Sequence, residues 1–256
     1  MEHTVLVTGA TAGFGEATVR RFLVHGHKVI AAGRRSERLD VLKASLPADQ
    51  QKKLLTLVLD VCDSAQVDSL AATLPADFSR VTVLVNNAGL ALGLEPAYQT
   101  NISDWDQMID TNVKGLVHMT RAFLPGMVER KCGHVINVGS VAGLYPYPGS
   151  NVYGATKAFV KQFSLNLRAD LTGTRLRVTC VEPGLSSGTE YSNVRFKGDD
   201  AKAEKVYEGV EALSADDIAE SIFWCATLPA HMNINAVEIM PIAQSFTGTS
   251  VYRGEY

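Results

Sequence analysis

Seven short runs rich in Val, Ile and Leu, at residues 4–7, 28–32, 54–59, 81–85, 134–138, 177–181 and 236–240, are separated by longer stretches of helical periodicity. This alternation restricts the fold more than any other feature of the chain. Runs without polar alternation read as strands apolar on both faces, and such strands need a layer above and a layer below. Residues 13–25, 36–46, 64–74, 105–130, 152–171 and 215–227 supply helices for those layers. Strands joined through helices run parallel with right-handed crossovers. The expectation is an α/β protein with a doubly wound, seven-stranded parallel sheet and helices on both faces.

A chain of 256 residues, 46% hydrophobic, fills one such core. No low-complexity linker, repeat or shift of composition divides it, so 1–256 reads as a single domain. Residues 185–205 are the least regular stretch, polar and glycine-containing between a strand and a helix, as a substrate lid would be. The C-terminal tail, 241–256, has no assigned role, although Phe246 and Tyr252 could cover a neighbouring site.

The formal charge is −3 and basic residues are scattered in nothing longer than short pairs such as Arg34-Arg35, so the footprint of a nucleic-acid binder is missing. No apolar run approaches the roughly 20 residues of a membrane span. The first residues lack the zones of a secretory signal, which predicts a soluble, cytoplasmic protein. Cys62, Cys132, Cys180 and Cys225 are dispersed and read as reduced structural thiols. No histidine falls in an H-E-x-x-H arrangement, so no metal is expected.

The first strand runs into Thr8-Gly9-Ala10-Thr11-Ala12-Gly13-Phe14-Gly15 and then a helix. A glycine-rich turn lets backbone N–H groups approach a pyrophosphate, and the helix start adds unpaired donors and a positive dipole end. The turn therefore predicts a dinucleotide. An acidic residue ending the second strand would select NAD; the chain has Gly33-Arg34-Arg35, whose guanidinium forks suit the 2′-phosphate of NADP. Asp60-Val61, ending the third strand, is placed to meet the adenine. Asn86-Asn87-Ala88-Gly89 ends the fourth, where Asn87 either faces the cofactor or holds the strand end.

Tyr153 and Lys157 share one helix face at i, i+4. A phenol titrates near ~10, so a base working close to neutrality needs a shift of about 3 units, or roughly 4 kcal/mol. Lys157 and an oxidised nicotinamide are the expected source. Ser140 ends the fifth strand at the same sheet edge, where its hydroxyl would hold the substrate oxygen. Gly139-Ser140-Val141-Ala142-Gly143 lacks the G-x-S-x-G elbow of a serine hydrolase. Asn112, polar within an apolar helix, either binds a water that links Lys157 to solvent or fixes helix packing.

The glycine turn, the Asn-Asn-Ala-Gly strand end, the helix Asn, the strand-end Ser, Tyr-x-x-x-Lys and Pro183-Gly184 occur in an order that resembles the short-chain dehydrogenase/reductase family over essentially the whole chain. The resemblance implies a Rossmann-like fold, a catalytic tetrad of Asn112, Ser140, Tyr153 and Lys157, and Lys157 on the nicotinamide ribose. It further implies that Pro183, Gly184, Leu185 and Thr189 line the nicotinamide, and that the protein is a homotetramer. Within the family, NNAGLALG, GTEYSNVRFKGDD and LPAHMNINAVEIMP resemble the bacterial NADP-dependent 3-hydroxy acid dehydrogenases. That group oxidises the 3-hydroxyl of serine, L-allo-threonine or 3-hydroxypropionate-like acids, or reduces the matching 3-oxo acids. Ser186-Ser187 stands where the group carries small residues such as Val-Gly. A short acid needs its carboxylate neutralised, and Arg195 in the lid is the candidate. The rivals are a ketoreductase for acyl thioesters or bulkier ketones, and a non-catalytic NADP sensor.

Overall fold

Along β1 (Thr4–Thr8), Val5 and Val7 enter one layer and Leu6 the other, and all three are fully buried. The computed structural model describes residues 2–246. From β1 the chain passes through α1 (Gly13–Val24), β2 (Lys28–Gly33), α2 (Ser36–Ala44), α3 (Ala48–Gln51), β3 (Leu54–Val58), α4 (Ser64–Thr73) and β4 (Val83–Asn86). It continues through α5 (Ile102–Ile109), a π-helical turn (Asp110–Gly115), α6 (Leu116–Glu129), β5 (His134–Val138) and α7 (Asn151–Asp170). Last come β6 (Arg177–Pro183), α8 (Tyr191–Arg195), α9 (Asp200–Lys205), α10 (Ala215–Thr227) and β7 (Ala236–Ile239).

The expected seven-stranded parallel sheet is present, in the order β3-β2-β1-β4-β5-β6-β7. One face is covered by α1, α2 and α10, with Phe22, Leu39, Ile218 and Ile222 closing over Val5, Val7 and Val29. The other is covered by α4, α6 and α7, with Val67, Met119, Phe123 and Leu167 over Leu6, Ile30 and Leu84. The winding reverses between β1 and β4, and at such a switch point the diverging loops open a crevice at the carboxyl ends of the strands.

Four local expectations change. The helix expected at 105–130 begins at Ile102, because Asn101 caps it through the Ser103 N–H at 3.1 Å, and it widens into the π-helical turn around Asn112. Residues 185–205 are not irregular: they fold into α8 and α9, separated by Gly198 at φ +88° and with Asp199 capping α9. The outer strands β3 and β7 are not buried on both faces, since each lies at a sheet edge; Val58 is exposed and β7 alternates. The short α3 after Pro47 has no apolar face to announce it. In the tail, Phe246 stacks on Tyr145 with centroids 5.1 Å apart, and Tyr252 lies outside the described residues. Among the described residues, no helix is long and apolar enough to cross a membrane and no cluster of His, Cys, Asp and Glu could hold a metal ion.

Candidate active site

The carboxyl ends of β1 to β6 surround a cleft of about 680 Å³, within the roughly 300–1,000 Å³ of small-molecule sites. The glycine turn forms one wall. Gly9 (φ +66°) and Gly13 (φ +53°) take a left-handed backbone, and a Cβ at Gly9 would stand 2.9 Å from Ala88 Cα. The N-cap of α1, Ala12, has no side chain to accept from the first-turn N–H groups, which leaves those donors to the cleft. Asn87 fastens the turn, its Nδ2 donating to the carbonyl oxygens of Thr8 at 2.9 Å and Gly9 at 3.3 Å. A phosphate fits here because the donors are unspent and the two glycines leave the space that side chains would occupy.

Thr11, Ala12, Gly13 and Phe14 line the cleft as expected, but Ala10 and Gly15 do not. Ala10 is fully buried in the core, its N–H donating to the Ala32 carbonyl at 3.0 Å. Gly15 sits behind the turn, where a Cβ would overlap the Gly9 carbonyl and come within 2.6 Å of Asn87 Nδ2. Both serve the turn through packing. Asn86 is likewise internal, donating to Thr120 Oγ1 and Asn137 Oδ1 at 2.9 Å each.

Arg34, Arg35, Asp60 and Val61 gather at the far end of the cleft. The two arginines are not equivalent. Arg35 donates to Thr11 Oγ1 from Nη2 at 2.9 Å and from Nε at 3.3 Å, and its Nη1 pairs with Glu190 at 2.7 Å. Asp60 accepts the Cys62 N–H at 3.0 Å, which shapes the loop after β3.

The opposite end holds the reactive side chains. Tyr153 and Lys157 occupy the first two turns of α7, both buried. Ser140, just past β5, accepts the Ala142 N–H at 3.1 Å and donates to the Pro183 carbonyl at 3.5 Å, and its hydroxyl lies close enough to the Tyr153 phenol to favour the phenolate. Lys157 Nζ donates to the Val138 carbonyl at 2.9 Å and lies 5.9 Å from the centre of the Tyr153 ring. Burial lowers the Lys157 pKa to about 8, so it remains a cation at neutral pH.

To the expected acidification of Tyr153 by Lys157 and an oxidised nicotinamide, the geometry adds further groups. Burial holds the phenol above its ordinary value, and the hydroxyls of Tyr191 and Ser140 and the Arg195 guanidinium pull it down. Lys157 spends one of its three donors on the Val138 carbonyl, which leaves two for the cleft. The Asn112 amide is held on both its oxygen and its nitrogen. Its Oδ1 accepts the Leu90 N–H at 2.9 Å, while Nδ2 donates to the Leu90 carbonyl at 2.9 Å and Thr156 Oγ1 at 3.0 Å. With both amide hydrogens committed, the side chain stitches the π-helical turn to the loop after β4, and it does not line the cleft.

Pro183, Gly184, Leu185 and Thr189 line the cleft beside Tyr153, and Ser186 bridges to Leu213 at the base of the lid. Arg195, on α8, is buried rather than solvent-facing, at 8% exposure. Its Nε donates to the Gly93 carbonyl at 3.0 Å and its Nη1 to the Tyr147 hydroxyl at 3.1 Å, with the guanidinium carbon 5.8 Å from the Tyr153 ring centre. Its Nη2 is buried with no hydrogen-bond partner among the described residues. A buried guanidinium with an unused donor beside two hydroxyls is a site for an anion carrying an oxygen to be protonated or deprotonated.

Sequence reasoning missed the aromatic setting of that arginine, Tyr147 and Tyr191, together with Tyr207 lower on the lid, Glu190 and Arg38. Tyr191-x-x-x-Arg195 repeats the i, i+4 spacing of the Tyr153–Lys157 pair and was a readable signal. Nothing local marks Tyr147 or Tyr207.

Known proteins resemble this chain over nearly its whole length. A family model described as short chain dehydrogenase matches residues 3–200. The chain is 61% identical over 249 residues, 97% of its length and 99% of the relative's, to the NADP-dependent 3-hydroxy acid dehydrogenase YdfG of Escherichia coli (strain K12). It is 49% identical over 253 residues, 99% of each, to the serine 3-dehydrogenase of Agrobacterium fabrum. Among solved structures, the closed form of a serine dehydrogenase complexed with NADP+ superposes with a TM-score of 0.94 at 60% identity, covering 98% of this chain and 99% of that one.

Proposed function

This chain belongs to the short-chain dehydrogenase family and is an NADP-dependent oxidoreductase, and on that premise we propose that it interconverts short 3-hydroxy acids and their 3-oxo acids. The substrates are of the size of serine, L-allo-threonine and 3-hydroxypropionate. The dinucleotide, when bound, supplies the acceptor or donor of the hydride exchanged with the substrate's third carbon. Gly9, Thr11 to Phe14 and Asn87 form the bed for its pyrophosphate, Arg34 and Arg35 face its 2′-phosphate, Asp60 and Val61 its adenine, and Pro183, Gly184, Leu185, Thr189 and Lys157 its nicotinamide end.

In the oxidative direction Tyr153 takes the hydroxyl proton while Ser140 holds the same oxygen by a hydrogen bond. The Tyr191 hydroxyl and the Arg195 guanidinium favour the phenolate. Lys157, 5.9 Å from the ring centre, favours it too, together with the positive ring of an oxidised nicotinamide. Asn112 acts at a distance, by holding residue 90 and Thr156 in place.

The observation that carries the substrate class is Arg195, buried, cationic and one donor short of satisfied, facing the Tyr153–Ser140 pair. A carboxylate there leaves the 3-hydroxyl for Tyr153. The test compares NADPH oxidation with free 3-oxo acids against an acetoacetyl thioester, whose acyl carboxyl is masked. A preference of about tenfold or more for the free acid is expected. Equal or greater kcat/KM with the thioester would favour the ketoreductase reading instead. We also propose a homotetramer built on the exposed apolar side chains Ile102, Ile109, Phe159 and Leu165 of α5 and α7, which light scattering in solution tests.

A further inference from the structure

Glu190 stands where the chain leaves β6 and enters the lid, and it holds two arginines at once. Its carboxylate pairs with Arg35 Nη1 at 2.7 Å and with Arg38 Nη2 at 3.1 Å, both on the segment that follows β2. Arg35 in turn donates to Thr11 in the glycine turn. Residue 189 arches over the same turn, since a Cβ on Gly13 would meet the Thr189 side chain at 3.0 Å. Turn, second strand end and lid are thus joined above the cleft by one ionic chain, Thr11–Arg35–Glu190–Arg38.

The chain is a partition. Arg35 and Glu190 line the main cleft on its inner side and a shallow groove with Asn193 and Lys197 on its outer side. Among the described residues the lid is also fastened at its base, where the Leu185 N–H donates to Gln244 Oε1 at 2.7 Å, and toward the substrate end by Arg195 to Gly93 and Tyr147 and by Lys197 to Asp104 at 2.7 Å. Beside the glycine turn, the ion pairs of Glu190 fasten it.

We propose that Glu190, by bridging Arg35 and Arg38, is the strap that closes the lid over the dinucleotide and sets the rate at which it leaves. The inference rests on the dinucleotide reading of the cleft. Arg35 divides its donors among Thr11, Glu190 and the cleft, so Arg34 is the freer partner of the 2′-phosphate, and the strap, which holds the lid and not the phosphate, treats NADPH and NADH alike. Pairs this exposed are each worth up to about fivefold in an equilibrium or rate, and salt screens them.

Stopped-flow release of NADPH, followed by its protein-enhanced fluorescence, tests this without turnover. Glu190→Gln is expected to release NADPH about five- to tenfold faster at low salt, and NADH by the same factor. Release from the parent should accelerate as salt rises from about 20 to about 300 mM, and release from the variant should accelerate less, since only the phosphate contacts remain to be screened. Arg38→Gln should reproduce part of the effect, and the double variant should release no faster than Glu190→Gln alone. Asp104→Asn, which cuts the substrate-side fastener, should change release by less than about twofold. Unchanged release in Glu190→Gln, slower release of NADPH alone, or equal acceleration by Asp104→Asn would each overturn the strap. If the parent shows no NADPH fluorescence change, the dinucleotide reading itself fails, which separates the two.

Discussion

Replacing Arg195 with Ala removes a buried cation from a site where three tyrosines and a serine supply the remaining polarity. Two consequences differ in which substrates they touch. The guanidinium carbon lies 5.8 Å from the Tyr153 ring centre, so its attraction for a phenolate is at most about 3 kcal/mol at an effective dielectric of ~20. That loss slows every substrate equally. The unpartnered Nη2 is different, because it has work only when an anion is bound. A hydrogen bond to a charged group contributes about 1.5–3 kcal/mol, or roughly 10- to 150-fold in kcat/KM. The ratio of kcat/KM for 3-hydroxypropionate to that for its methyl ester cancels the common loss and isolates the carboxylate contact. It should fall by that factor in Arg195→Ala, mostly through KM, and recover in part in Arg195→Lys. The variant also strands the Gly93 carbonyl, so thermal unfolding must show that it is folded at the assay temperature. Acid and ester losing activity by the same factor would refute the assignment.

Tyr153→Phe should lower kcat by about 10²–10⁴-fold while NADPH binding stays within a fewfold of the parent, and a rate equal to the parent's would remove the acid/base role. Arg34→Ala should cut the preference for NADPH over NADH by roughly 10- to 100-fold, since one charge-assisted contact to the phosphate is lost; an unchanged ratio would shift recognition back to Arg35. Burial beneath the sheet lowers the pKa of His3 to about 4 and also lowers those of His27 and His134, with Arg177 adding to the effect on His3 and His134. A histidine held below its ordinary value takes up its proton later in the folded chain than in the unfolded one. Stability is therefore full above about 6.5 and drains as pH falls toward 4. The melting temperature should drop by several degrees from pH 7 to pH 4.5, and His3→Asn should flatten the slope; a parent that melts alike at both pH values would contradict the burial of these rings.

Features whose parts lie close along the chain were legible before folding. The glycine turn spans a handful of residues between a strand and a helix, so its φ requirement and its donors follow from local geometry alone. Tyr153 and Lys157 meet because i and i+4 always meet on a helix. The sheet was legible for a different reason: strands apolar on both faces admit few arrangements, and the expected one formed. Ala10 was misplaced because a turn's composition does not say which side chain points inward.

Arg195 shows where such reasoning stops. Its residue type suggested an anion, but its burial comes from Gly93, 102 positions earlier, and Tyr147, 48 positions earlier. Glu190 reaches Arg38 across 152 positions, and no periodicity connects them. That Lys157 also anchors on the Val138 carbonyl was not readable, because that carbonyl is reached only once α7 lies against β5. Residue order was enough to place groups that share a turn or a helix face, because covalent geometry brings them together. Which charge is buried, which donor is spent and which ion pair closes the cleft were settled by packing distant segments, since desolvation and pairing depend on neighbours that the chain alone does not name.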